Sequence, residues 1–378
     1  MTPQPRADRF PCPGCSADMQ FDPATGGMKC PFCGKTQSLA APPAAGRAAV
    51  IPSHPLDDFA NQTSAPGLRP LAAAALEVSC GACGSVVTFQ PPEVAGLCPF
   101  CGDALVAQPK AADPLLSPDA VLPAVITRDR AETSLRSWLR SRWFAPNALK
   151  RLARPGAVEG VYLPFWDFDA DTTTHYSGRR GETYYTNESY PETDSEGHTV
   201  MQTRQVTNTN WRPASGVVSC RCEDVLVPAS TSVPEFILKK LEPWKLESLR
   251  LYDPAYLAGF KAQRYQLDLP AGVEHATEAM RSRIAQAVCR DIGGDQQVID
   301  SMETQYSNRQ FRHLLLPVWI GAYRFRNRVY QVVVNASTGE VKGDRPYSLV
   351  KIVTPVLVVV FIFVVIPTII GLLLLMSK

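Results

Sequence analysis

At 378 residues, with 45% hydrophobic and 20% charged side chains, the chain has the ordinary composition of a folded protein and room for two or three domains. Its formal net charge of +2 excludes a global field that would draw the whole molecule to nucleic acid or anionic lipid. Any partner has to be recognised locally.

The N-terminal MTPQPRADRF has no apolar stretch of signal-peptide length. Cys12, Cys15, Cys30 and Cys33 then form two Cys-x-x-Cys knuckles, and residues 8–39 are expected to fold as a small zinc ribbon. Cys80, Cys83, Cys98 and Cys101 repeat that spacing within residues 76–107. Phe21 matches Phe89, Pro23 matches Pro91, and both second knuckles read Cys-Pro-Phe-Cys-Gly, so one module occurs twice. Two thiolates at i and i+3 grip one ion, and two such turns facing each other complete a tetrahedron with no position left for water or substrate. The expected cofactors are therefore two structural zinc ions. Iron in a rubredoxin-like site uses the same ligands and stays open.

Between the ribbons, residues 40–75 are rich in Ala and Pro and are expected to be a flexible linker. Charge then separates two kinds of partner. Residues 78–107 of the second ribbon hold no Lys or Arg beside Glu93 and Asp103, and residues 11–39 of the first balance Lys29 and Lys35 against Asp18 and Asp22. Without phosphate neutralisation the ribbons are expected to meet protein rather than nucleic acid.

Residues 112–348 read as α+β. Helices are expected over 128–143, where Leu135, Trp138, Leu139 and Trp143 fall at helical spacing, and over 271–292, stopped by Gly293-Gly294. Strand patterns cover 158–170, 216–227, 314–326 and 329–335. A weaker duplication accompanies them: Leu122-Pro123-Ala124, a helix and Leu163-Pro164-Phe165-Trp166 parallel Leu269-Pro270-Ala271, a helix and Leu316-Pro317-Val318-Trp319. Two related halves are expected.

Residues 128–154 hold eight Lys or Arg against Asp129 and Glu132. Such a segment is either a domain helix with its arginines in water or a surface for anionic headgroups or an acidic partner. Asp167, Asp169 and Asp171 share one strand face, suited to a cation or to acid–base work, or merely solvated. Cys220, Cys222 and Cys289 read as small apolar fillers, and the five histidines show no metal-ligand spacing. No P-loop, dinucleotide-binding, zinc-protease or serine-hydrolase motif is present, so the chain is expected to be non-enzymatic.

Residues 352–376 carry no charged side chain and would span about 37 Å as a helix, enough for a hydrocarbon core of about 30 Å. A single C-terminal transmembrane helix is expected there, inserted after synthesis. The bulk is then expected in the cytosol on the cytoplasmic membrane, in keeping with eight cysteines arranged as metal knuckles.

The segments Glu159-Gly-Val-Tyr-Leu-Pro-Phe-Trp, Asp224-Val-Leu-Val-Pro-Ala-Ser, Tyr252-Asp-Pro-Ala-Tyr-Leu-Ala-Gly-Phe, Asp291-Ile-Gly-Gly-Asp and Leu315-Leu-Pro-Val-Trp resemble a family of bacterial membrane-anchored zinc-ribbon proteins. Its members are labelled transcription-factor-IIB-type zinc-ribbon proteins or relatives of primosomal protein N-prime (replication factor Y), although the helicase nucleotide-binding motif is absent here. The resemblance implies partners among SPFH-domain proteins and phage-shock protein A relatives, which manage membrane stress, and it implies no catalytic residue. The expected function is a membrane-anchored adaptor recruiting cytosolic proteins. The alternative is a membrane-tethered nucleic-acid-binding protein working through residues 128–154.

Overall fold

The computed structural model describes residues 10–39, 51–57, 68–69, 76–80, 83–89, 95–101, 104–106, 115–141, 158–193, 198–325, 328–344, alternate residues of 351–359, and 361–369. The first ribbon is a three-stranded sheet of β1 (Gln20–Asp22), β2 (Gly27–Lys29) and β3 (Thr36–Gln37). β4 (His54–Pro55) and β5 (Leu68–Arg69) lie between the ribbons, and the second ribbon pairs β6 (Leu76–Ser79) with β7 (Val86–Phe89) and β8 (Ala95–Leu97) with β9 (Ala104–Val106). The central region opens with β10 (Leu115–Leu116), β11 (Ala120–Val121) and α1 (Arg128–Ser141), followed by β12 (Val158–Thr193) and β13 (Thr199–Pro228). It continues through α2 (Glu235–Lys239), β14 (Arg250–Leu251), β15 (Lys261–Ala262) and α3 (Leu269–Ile292), and ends with β16 (Gln296–Phe325), β17 (Arg328–Asn335) and β18 (Val341–Gly343). Helix and strand are mixed as the sequence patterns predict.

β12 and β16 are antiparallel neighbours with Leu163 opposite Leu316. Around that pair one set of bonds occurs twice. β11 runs parallel to β16, and Leu122 N donates to Leu315 O at 2.9 Å; β15 runs parallel to β12, and Gln263 N donates to Tyr162 O at 2.9 Å. Ala229 N donates to Pro164 O and Ala336 N to Pro317 O, both at 3.0 Å. Trp166 Nε1 donates to Leu267 O at 2.9 Å, and Trp319 Nε1 donates to Ile126 O at 2.8 Å. Those carbonyls precede Thr127 and Asp268, whose side chains accept from the first turns of α1 and α3. The structural counterpart of Leu122 is therefore Gln263. The Leu-Pro-Ala match predicted from sequence pairs Leu122 with Leu269, which instead opens α3; proline suits that first helical turn because its missing N–H has no partner there anyway.

The halves differ where aromatic rings pack. Opposite Trp166 the strand carries His313, whose ring lies 4.9 Å from the indole; opposite Trp319 it carries Gly160, and the neighbouring ring comes from Phe260 at 5.1 Å. A Cβ at position 160 would lie 2.4 Å from Phe260 Cδ1, so this position requires glycine.

β12 and β13 stay paired to Thr193↔Thr199, far beyond the strands expected at 158–170 and 216–227. β16 accompanies them only to Gly181↔Gln296, after which a two-stranded arm continues alone. The arm escapes sequence patterning because neither of its faces is buried, so its side chains need not alternate between apolar and polar. α3 covers the near part of this sheet through Ala276, Met280, Ile284 and Val288.

Inside the stretch expected to be linker, residues 51–57 are seated on the central region. β4 pairs with β16 at Gln310 and Phe311, Leu56 enters the core, and His54 Nε2 lies 2.7 Å from Asp119 Oδ1. Residues 40–50, 58–67 and 70–75 lie outside the described residues. Among the described residues no helix is long and apolar enough to cross a membrane; residues 352, 354, 356, 358, 360 and 370–376 of the expected span lie outside them.

Candidate metal centres

Three of the four knuckles turn tightly because a left-handed residue follows the second cysteine: Ser16 at φ 60°, Gly34 at 73° and Gly84 at 73°; the residue after Cys101 lies outside the described residues. Cys12 N donates to Ala17 O and Ser16 N to Cys12 O, and the second ribbon repeats this with Cys80 N to Ser85 O and Gly84 N to Cys80 O. The turns bring Cys12 Sγ to 3.5 Å from Cys33 Sγ and Cys15 Sγ to 3.4 Å from Cys30 Sγ. In the second ribbon Cys80 and Cys101 approach at 3.4 Å and Cys83 and Cys98 at 3.7 Å. In both groups the four sulfurs lie within 4.8 Å of one another, close to the edge of about 3.8 Å that a tetrahedron with metal–sulfur bonds of about 2.3 Å requires. All eight predicted ligands are thus brought together in two sets of four. Each set could hold one metal ion, and the donors are consistent with zinc.

One contributor is not visible from ligand spacing. The buried Ser85 Oγ lies 3.0 Å from Cys83 Sγ and 3.3 Å from Cys98 Sγ, so its hydroxyl can donate to either thiolate. The first ribbon has Ala17 at the equivalent place. The only sequence sign is a small polar residue directly after the knuckle glycine.

Both ribbons are locked to the central region. Phe21 N donates to Ala258 O at 2.9 Å, and the Phe21 ring lies 5.3 Å from that of Tyr256. β7 pairs with β15 through Thr88 and Ala262, while Gln263 and Gln331 donate to the carbonyls of Val86 and Phe100. Cys12 and Cys30 share a core with Tyr162 and Trp319; Cys80, Cys98 and Phe100 share another with Leu163 and Leu316. Docking leaves the two Cys-Pro-Phe-Cys-Gly knuckles in opposite settings, since Phe100 is 1% exposed and Phe32 is 81% exposed.

The acidic face forms a different cluster from the one expected. Asp167 and Asp169 are joined by Asp224, while Asp171 turns away and accepts from Asn308 Nδ2 at 2.7 Å. Two bulges cause the exchange: Asp224 at φ 53° and Asn308 at φ 50° interrupt the registers on either side of β12. Arg312 Nη2 sits among the three carboxylates, 2.5 Å from Asp167, 3.2 Å from Asp224 and 3.4 Å from Asp169. Burial pushes the Asp167 carboxyl up to about 7 against the pull of this guanidinium. A resident cation of its own makes the cluster a structural ion-pair network.

His313 is buried, and its Nδ1 faces Leu116 O at 3.1 Å; burial pushes the ring down to about 4, so it stays neutral. Cys222 fills the core beside Phe168 and Val225, as expected of a small apolar residue, and Cys220 and Cys289 join no metal-binding group among the described residues. In α1 the stripe Ala131, Leu135, Trp138 and Leu139 faces the core, and Arg128, Arg130 and Arg140 are exposed. Arg142, Lys150, Arg151 and Arg154 lie outside the described residues.

No family model matches the chain, and no solved structure matches it. The chain is similar to the uncharacterized protein YdjG of Bacillus subtilis strain 168, at 26% identity over 344 residues that cover 91% of each chain.

Proposed function

We propose that this protein is a non-catalytic adaptor, held at the cytoplasmic membrane by residues 352–376, that presents its first zinc ribbon to a cytosolic or membrane-associated protein. The observation that carries this reading is Phe32. A large apolar side chain stands in solvent at the tip of a Cys-x-x-Cys knuckle whose four-cysteine ribbon is otherwise anchored to the core. An aromatic held on a rigid element loses little entropy on docking, and such residues dominate protein interfaces. The ribbons' lack of net positive charge favours a protein over a nucleic acid. In the tail, the exposed Val353, Leu357, Val359, Phe361 and Ile362 suit a lipid environment. The two-ribbon platform also agrees with the resemblance to anchored zinc-ribbon proteins, which points to SPFH-domain proteins or phage-shock protein A relatives as partners.

Affinity recovery of the full chain from native membranes tests the reading. An SPFH-domain or phage-shock protein A relative is expected with the unaltered chain and not with Phe32→Glu, while both forms keep two metal ions. Equal recovery with both forms would reject the role given to the first ribbon.

A further inference from the structure

We propose that the first ribbon is a site of modification by peroxide. Hydrogen peroxide oxidises its exposed cysteines to disulfides and so releases its metal ion, while the second ribbon keeps its own. The chemistry stands on the cysteines alone; only its consequence for partner capture rests on the adaptor reading.

The two four-cysteine sets offer the same donors but differ in access. In the first, Cys12 and Cys30 are buried, and Cys15 and Cys33 are exposed, one on each knuckle. Each exposed sulfur has a buried one beside it: Cys33 lies 3.5 Å from Cys12, and Cys15 lies 3.4 Å from Cys30. In the second, Cys80, Cys98 and Cys101 are buried, and of the four only Cys83 is exposed. An accessible thiolate with a second sulfur in reach is the kind that peroxide converts to a disulfide.

The exposed sulfur of the second set is also engaged. Ser85 Oγ lies 3.0 Å from Cys83 Sγ and 3.3 Å from Cys98 Sγ, and a hydroxyl donating to a coordinated thiolate draws off the electron density with which that sulfur would attack. Ala17, at the matching place, gives Cys15 no such hydroxyl. Charge differs in the same sense. Lys35 follows the Cys-Pro-Phe-Cys-Gly of the first ribbon, where the second has Asp103. The Lys35 Cδ is 3.4 Å from the place that a Cβ on Gly14 would take, which sets the lysine across the facing knuckle. A cation there stabilises the hydroxide that leaves during oxidation.

The Cys33 thiolate attacks one oxygen of the peroxide and breaks the O–O bond; a sulfenic acid forms, and hydroxide departs. The Cys12 thiolate then attacks the Cys33 sulfur, forming the S–S bond and expelling a second hydroxide. Two electrons pass from two thiolates to one peroxide. Cys15 and Cys30 react in the same way with a second peroxide. The first disulfide already cuts four thiolate donors to two, which no longer enclose an ion. Phe32 sits between Cys30 and Cys33, so the knuckle that displays it is undone by the same event.

Peroxide treatment of the full chain loaded with zinc tests the proposal. Released metal is read with pyridylazoresorcinol, and disulfides are located by mass spectrometry of unreduced peptides. One ion is expected to leave on the order of tenfold faster than the other, in step with bonds joining Cys12 to Cys33 or Cys15 to Cys30. A thiol reductant with fresh zinc should restore it. Ser85→Ala should speed loss of the second ion, and Ala17→Ser should slow loss of the first. Equal release of both ions, earlier disulfides in the second ribbon, or loss of the first ion with no disulfide in its ribbon would overturn the proposal. Asymmetric release with unchanged partner recovery would uphold the modification site and reject the role of the first ribbon in capture.

Discussion

Phe32 and Phe100 occupy the same place in two identical knuckles, yet Phe100 lies in the central core and Phe32 stands in solvent. The duplicated module has been put to two uses. The second ribbon is part of the domain wall, and the first displays its knuckle.

Truncating each phenylalanine separates those uses. Phe100→Ala should destabilise the fold by about 3–5 kcal/mol through the cavity it leaves, whereas Phe32→Ala should change stability by less than about 0.5 kcal/mol. Urea unfolding of both variants measures this, and a large loss at Phe32 would contradict the exposed placement.

Metal removal should reach beyond the ribbons. Because ligand cysteines share cores with Tyr162, Leu163, Leu316 and Trp319, chelation is expected to lower the central domain's melting temperature by on the order of 10 °C. The tryptophan near-ultraviolet circular dichroism should change in the same transition. An unchanged midpoint would show that the ribbons are energetically independent.

The paired tryptophans offer a test of the repeated architecture. Trp166→Phe and Trp319→Phe each remove one indole bond to a carbonyl preceding a helix, and each should cost about 1–2 kcal/mol. Gly160→Ala should cost about 1–3 kcal/mol, since its Cβ would collide with Phe260.

Two buried groups give stability opposite slopes between about pH 4 and pH 7. Asp167 binds its proton more tightly when folded, so its contribution is full below about pH 4 and is lost as the pH rises through about 7. His313 is depressed to about 4, so its contribution is present above the ordinary histidine value of about 6.5 and is lost as the pH falls through about 4. Unfolding free energies at the two ends of this range should therefore rise more steeply with pH in Asp167→Asn than in the unaltered chain, and less steeply in His313→Gln. Unchanged slopes would contradict the burial of these groups.

The metal ligands were legible because knuckle spacing depends on local geometry alone. So were the helices and the apolar middles of the long strands, whose periodicity reflects burial. The arm was not, because Thr, Ser and Asn on two solvated faces leave no alternation to read. The exchange of Asp171 for Asp224 depends on two bulges, each built by a left-handed residue other than glycine. Such bulges have no dependable sequence signal. The docking of Phe100 and the display of Phe32 were equally hidden, since identical motifs are separated only by what packs against them.

The most direct test of the adaptor reading places a photoreactive p-benzoylphenylalanine at position 32 of the full chain and irradiates native membranes. The account predicts a discrete protein adduct that disappears when the same group is placed at exposed Ser137 on α1. Adducts to nucleic acid, or no adduct at position 32 in a metal-loaded chain, would contradict it.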